Sequence, residues 1–247
     1  MKFRILLVSY SAALFVAFFW LSEGLMWWVS LSATLFFLTL LLYGVTTLKF
    51  NFFLHSVSHP PEGTVVLSFD DGPDPVNTPK VLAILKKHQV KAIFFLIGHK
   101  VTQYPQLVKQ IQTEGHLIGN HSDAHDLSFT FKGTSDVEQD LARANRKLNE
   151  LTGLKIKYVR PPFGITNPNI ARAIQNLGMI SIGWNVRPKD TNYTDSEKLL
   201  KVLQRKTKQG GALILLHDRV NATTEILEEY ILFCKKKGMK FGTLKTP

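Results

Sequence analysis

Val65-Val66-Leu67-Ser68-Phe69-Asp70-Asp71-Gly72-Pro73 is the stretch on which the architecture turns. Val65–Phe69 is a short, nearly continuous apolar run, the pattern of a strand covered on both faces. Two carboxylates leave its end, and Asp71-Gly72-Pro73 is good turn chemistry. Adjacent carboxylates leaving a strand point in different directions. One can bind a metal while the other faces a reacting water, although a plain turn would account for the same residues.

Outward from this stretch, strands are expected at Ala92–Ile97, Leu117–Gly119, Lys157–Val159, Ile180–Trp184, Ala212–Leu216 and Lys240–Gly242. Helices are expected between them, near 78–88, 104–114, 136–151, 167–177, 195–208 and 222–237. Thr194-Asp195-Ser196-Glu197 and Ser135-Asp136-Val137-Glu138 have capping-box spacing. Strict alternation predicts parallel strands inside a helical jacket, an α/β barrel short of the full eight units. In such barrels chemistry sits where strands end. Asp70 and Asp71, His121 and His125, Arg160, Asp190, and His217 with Asp218 all fall at or just beyond predicted strand ends.

His121-Ser122-Asp123-Ala124-His125 spaces two histidines at i and i+4, which on a helical turn share one face and can share a metal. Polar surface is the ordinary reading of such a pair, and its position at a strand end strengthens the metal reading. A carboxylate from elsewhere would complete a His₂Asp set. Arg160-Pro161-Pro162-Phe163-Gly164 is a rigid turn in which two prolines remove two amide donors, leaving the Phe163 amide available to an oxyanion. Arg160 can grip a carboxylate in a bidentate pair. His217, closing Ile214-Leu215-Leu216-His217-Asp218, is either a satisfied core histidine or a general acid. His116 reads as structural.

Taken together, Ser68–Pro73, His121–His125, Arg160–Gly164, the segment carrying Asp190, and Ile214–Asp218 resemble the polysaccharide deacetylases, carbohydrate esterase family 4. Chitin, peptidoglycan and chitooligosaccharide deacetylases belong to that family. The resemblance covers about Val65 to Asp218, and implies a distorted (β/α)7-type barrel. It implies that Asp71, His121 and His125 bind a divalent metal, usually zinc, with Asp70 as general base and His217 as general acid. Arg160 would position Asp70, Asp190 would orient His217, and the Phe163 amide would help to hold the oxyanion. The implied reaction is hydrolysis of the acetamide of an N-acetylated sugar, releasing acetate. The fourth motif, Trp184-Asn185-Val186-Arg187-Pro188-Lys189-Asp190-Thr191, departs from the family: Arg187 stands where an aspartate is usual and Thr191 where a tryptophan is usual. An Arg187 facing the mouth would favour an anionic substrate.

Residues 1–50 read differently, with Lys2, Arg4, Glu23 and Lys49 as their only charges. Two uncharged stretches flank Ser22-Glu23-Gly24, and each has about the length that a bilayer requires. A transmembrane hairpin is expected, with helices at about 5–21 and 25–46, a linker at 51–63 and the catalytic domain at 64–247. Trp20, Trp27 and Trp28 flank the break as interfacial aromatics would. No small-x-small cleavage site follows the first stretch, against a signal peptide. Lys2 and Arg4 draw the N-terminus, and with a hairpin the domain, to the cytoplasmic side, but so few charges leave the side open.

The chain carries a net +11, of which +9 lies beyond residue 50. No Arg/Lys run with interleaved aromatics marks a nucleic-acid site, so the expected partners are an acetylated glycan and the bilayer. Cys234, the single cysteine, falls in an apolar helical stripe and reads as a buried structural thiol. The substrate could be a polymer, an oligosaccharide or a lipid-linked amino sugar. Two further readings keep the fold: a catalytically silent carbohydrate-binding protein, and an O-acetyl esterase.

Overall fold

The computed structural model describes residues 2–207 and 211–244. Met1, Lys208 and residues 245–247, which bounded the predicted anchor, one helix and the domain, lie outside them. Two long helices, α1 (Lys2–Trp20) and α2 (Glu23–Thr46), come first. They pack on each other as a hairpin, with the Tyr10 hydroxyl 3.0 Å from Thr34 Oγ1 and the Tyr10 ring stacked on Phe37. Both are apolar and long enough to cross a membrane and bury almost nothing within the molecule. Helices apolar on all sides and left bare need an apolar surrounding.

The strands are β1 (Ser56–Val57), β2 (Thr64–Gly72), β3 (Ala92–Leu96), β4 (Leu117–Asn120), β5 (Tyr158–Val159), β6 (Ile180–Ile182), β7 (Ala212–His217) and β8 (Lys240–Phe241). The order is β1-β6-β5-β4-β3-β2-β7, with β8 also on β2, and every pairing is parallel. Val186, beyond β6, bridges to Ile214 in β7, which curls the sheet towards closure. The helices α3 (Asn77–Lys87), α4 (Gly98–Gln103), α5 (Pro105–Thr113), α6 (Thr134–Thr152), α7 (Pro168–Asn176), α8 (Ser196–Lys206) and α9 (Asn221–Lys236) jacket it.

Strand alternation divides the core. Val66 faces inward with Ile93, Phe95, Tyr158, Ile182 and Leu213. Val65, Leu67 and Phe69 face outward, among Val81, Leu85 and Leu227 of the helices. Ser68 and Asp70 therefore follow Val66 into the barrel.

Several expectations need correction. Residues 51–63 are not a free tether, because β1 pairs with β6 there. Helix α4 precedes the predicted helix near 104–114. Asp195, not Thr194, caps α8, its carboxylate accepting from the Lys198 amide. The Ser135 box is not used, because α6 has already begun at Thr134 behind Gly133. Cys234 is buried, and burial pushes its thiol up to about 11, which leaves it inert at neutral pH.

The hairpin does not hang free of the barrel. The Thr166 amide donates to the Val45 carbonyl at 3.0 Å. Gly44 packs so closely on Phe52 that a Cβ would stand 2.1 Å from the ring. The end of α2 is thereby fixed beside the turns that follow β5 and β6.

Candidate active site

Asp70 and Asp71 would alternate to opposite faces in a regular strand. A register shift between Phe69 and Gly72, where β2 pairs with β3, breaks that alternation. Asp71 takes a left-handed φ of 68°, so its carboxylate returns to the barrel mouth beside that of Asp70. Both line a cavity of about 200 Å³ with His121, His125, Phe163 and His217.

Asp71 Oδ1 lies 3.4 Å from His121 Nε2 and 3.2 Å from His125 Nε2. One donor atom from each of the three residues falls within 4.8 Å of the others. The histidines do not meet on a helical turn, as their spacing suggested. An irregular loop brings them together, with Ser122 and His125 both at positive φ and the His125 amide donating to Ser122 Oγ. His121 Nδ1–H donates to the Arg160 carbonyl at 2.7 Å, which turns Nε2 towards the cavity. Burial, then the neighbouring His121, pushes His125 down to about 4, so its imidazole is neutral and can offer a lone pair at ordinary pH. Burial opposes ionisation of Asp71, yet His121, His125 and His217 outweigh it and hold this carboxyl below the usual range. Two imidazoles and a carboxylate with room for further ligands fit a divalent cation of the zinc type.

Arg160 is fully buried. Nη1 donates to Asp70 Oδ1 at 2.6 Å and to Ser68 Oγ at 2.9 Å. Nε and Nη2 donate to the carbonyls of Ile182 and Gly183, and the guanidinium lies over the Phe95 ring. The expected bidentate grip on a carboxylate is therefore not made: one nitrogen serves Asp70, and the others knit β5 to the end of β6. Phe163 sits at φ 60° in the turn after β5, and its ring rests on His125. Gly164, at φ 69°, admits Trp184, which a Cβ there would meet at 2.2 Å.

Asp190 is fully buried behind His217. Its Oδ1 accepts from His217 Nδ1 at 2.9 Å, and its Oδ2 accepts from the His217 amide and from Thr223 Oγ1. Nε2 is left facing the cavity, 3.8 Å from Asp71 Oδ2. Burial pushes His217 down, but the bond and charge of Asp190, with Asp70 and Asp71, carry it above its ordinary value of 6.5. Asp218 turns away, bonded to Thr78 and pushed up to about 7 by burial. His116 is buried and accepts from the Ala92 amide, a packing role.

Arg187 and Thr191 of the altered fourth motif both line the cavity. So does Arg219, which the sequence did not single out; its Nε donates to Asp71 Oδ2 at 2.9 Å. Its signal was faint, a lone arginine one residue past His217-Asp218.

A family model described as polysaccharide deacetylase matches residues 57–182. The peptidoglycan-N-acetylmuramic acid deacetylase PdaA of Bacillus subtilis is 34% identical over 186 residues, 74% of this chain and 70% of that protein. The Bc1960 peptidoglycan N-acetylglucosamine deacetylase superposes with a TM-score of 0.72 at 31% identity, covering 76% of this chain and 90% of that one. BA3943 of Bacillus anthracis, described as a CE4 family pseudoenzyme, superposes at 0.71 with 30% identity, over 76% and 66% of the two chains.

Proposed function

Because the chain belongs to the polysaccharide deacetylase family, we propose that it hydrolyses the acetamide of an N-acetylated glycan with a divalent cation, zinc by donor chemistry, held by Asp71, His121 and His125. One observation carries the reading: those three donors converge in the cavity that Asp70 and His217 also line. When bound, such a cation polarises a carbonyl and lowers the pKa of water.

The chain's own groups supply the proton transfers. Asp70, held by Arg160, accepts the proton of the attacking water. The Phe163 amide, on its left-handed turn, is a donor for the oxyanion. His217 gives its Nε2 proton to the sugar nitrogen as the C–N bond breaks, leaving acetate and a free amine. Asp190 fixes the tautomer and supports the charged imidazolium. The apolar α1–α2 hairpin supports a membrane anchor, with residues 51–63 joining it to the barrel.

The test is acetate release by the full-length protein in detergent on N-acetylglucosamine oligomers and peptidoglycan fragments. Zinc should sustain release, and a chelator or His121→Ala should abolish it. Turnover that persists after complete metal removal would overturn the metal assignment. Metal binding with no turnover on any acetylated sugar would favour a silent carbohydrate-binding protein, a reading that the similarity to a pseudoenzyme keeps in play. O-acetylated glycans in the same panel separate an esterase from an N-deacetylase.

A pH profile tests the Asp190–His217 pair. Catalysis needs protonated His217, so the rate falls as pH rises through its raised pKa. Asp190→Asn removes the charge that raises it, and the alkaline limb of kcat/KM should move to lower pH. A lower rate with an unmoved limb would refute the positioning role.

A further inference from the structure

A second cavity, of about 500 Å³, lies where the anchor meets the barrel. Thr46, the last residue of α2, and Lys49, in the turn just beyond it, line it together with Trp184, Arg187, Arg205 and Lys206. Four cations line it and no carboxylate does. None of the four is ion-paired among the described residues. The Arg187 guanidinium lies over the Trp184 ring at 5.4 Å, and Lys206 Nζ donates to the Arg187 carbonyl at 2.8 Å. The basic groups are thus partly ordered before any ligand arrives.

Trp184 and Arg187 also line the catalytic cavity, so the two spaces meet at that wall. We propose that the basic cavity binds the phosphate of a lipid-linked sugar substrate, holding the lipid beside α2 while the sugar's acetamide reaches the catalytic cavity. This rests on the deacetylase reading above. Hydrolysis consumes water and yields acetate and an amino sugar, and the phosphate linkage to the lipid stays intact.

Three further observations agree. Helix α2 ends at Thr46, on the cavity itself, so a chain spanning the bilayer through α2 delivers the cavity to headgroup depth. The anchor end is fixed there by the Thr166–Val45 hydrogen bond. Next to Thr166, Asn167 holds the turn 127–131 through the Thr130 carbonyl, and that turn bears Leu127 and Phe131, 74% and 88% exposed. Bare apolar side chains beside an anchor suit a bilayer surface. A bulk phospholipid would meet the cations equally, but only a sugar phosphate makes use of the shared Trp184–Arg187 wall.

The experiment compares full-length protein in neutral-lipid vesicles on three substrates bearing the same sugar: N-acetylglucosamine linked by diphosphate to a polyprenyl lipid, its neutral alkyl glycoside, and soluble chitotetraose. A charge-assisted contact predicts that kcat/KM for the diphosphate lipid exceeds that for the alkyl glycoside by about tenfold or more. Lys49→Gln with Arg205→Gln should erode that preference through KM. Equal turnover of the two lipids by the parent protein would overturn the proposal without recourse to any variant. Turnover of chitotetraose or peptidoglycan alone would overturn it while the deacetylase reading stands. Loss of the preference in vesicles rich in anionic phospholipid would assign the cavity to bulk headgroups and overturn it too. No acetate from any substrate would instead remove the deacetylase reading itself.

Discussion

Asp70→Asn is expected to retain the divalent cation yet release acetate about 10²–10⁴-fold more slowly, the usual worth of a positioned general base. Two carboxylates stand side by side, and their surroundings differ. Asp71 Oδ1 is directed at two imidazole nitrogens and its Oδ2 at Arg219; burial opposes its ionisation, but His121, His125 and His217 outweigh it and hold the carboxyl low. Asp70 touches the arginine with one oxygen, and its other oxygen stands 3.8 Å from His121 Nε2, at the edge of the same cavity. Asparagine keeps the size and can still accept from Arg160, but it cannot take a proton. Rates and metal content measured on one preparation decide the matter. A loss of less than tenfold would show that Asp70 is not the base, and a loss of bound metal would make it a ligand instead.

What was legible in the sequence follows from how parallel sheets are buried. Strand β2 is covered on both faces, so Val65–Phe69 could be read directly, and β3 and β7 likewise. Once alternation implied a barrel, strand ends sufficed to gather Asp70, His121, Arg160 and His217 although they are far apart in the chain. Strand β1 escaped because two residues carry no period. The His121–His125 loop was misread as helical because its left-handed residues, Ser122 and His125, are not glycines and leave no mark. Arg160 was read as a bidentate clamp because chemistry alone cannot show that two backbone carbonyls compete for its nitrogens. The cavity beside α2 was not legible at all, since it exists only once the α1–α2 hairpin docks against the barrel.

Arg160→Met should cost about 3–5 kcal/mol of stability, the penalty for orphaning one partner of a buried ion pair. Methionine fills a comparable volume, so the loss would not be a cavity effect. The cost lies in what is left behind: the Asp70 carboxylate, the Ser68 hydroxyl and the carbonyls of Ile182 and Gly183 all lose their donor. For a domain of this size that corresponds to a fall in Tm of roughly 6–20 °C. Adding Asp70→Asn to Arg160→Met removes the stranded charge, so the double variant should be more stable than Arg160→Met alone. A double-mutant cycle by thermal melts isolates that coupling. Additive losses would mean that Arg160 acts chiefly as a strap between β5 and β6, and that its bond to Asp70 matters for catalysis more than for the fold. Strong coupling would mean that the barrel tolerates a carboxylate at its mouth only because a buried arginine neutralises it. In that case the proposed catalytic base and the stability of the fold rest on the same ion pair.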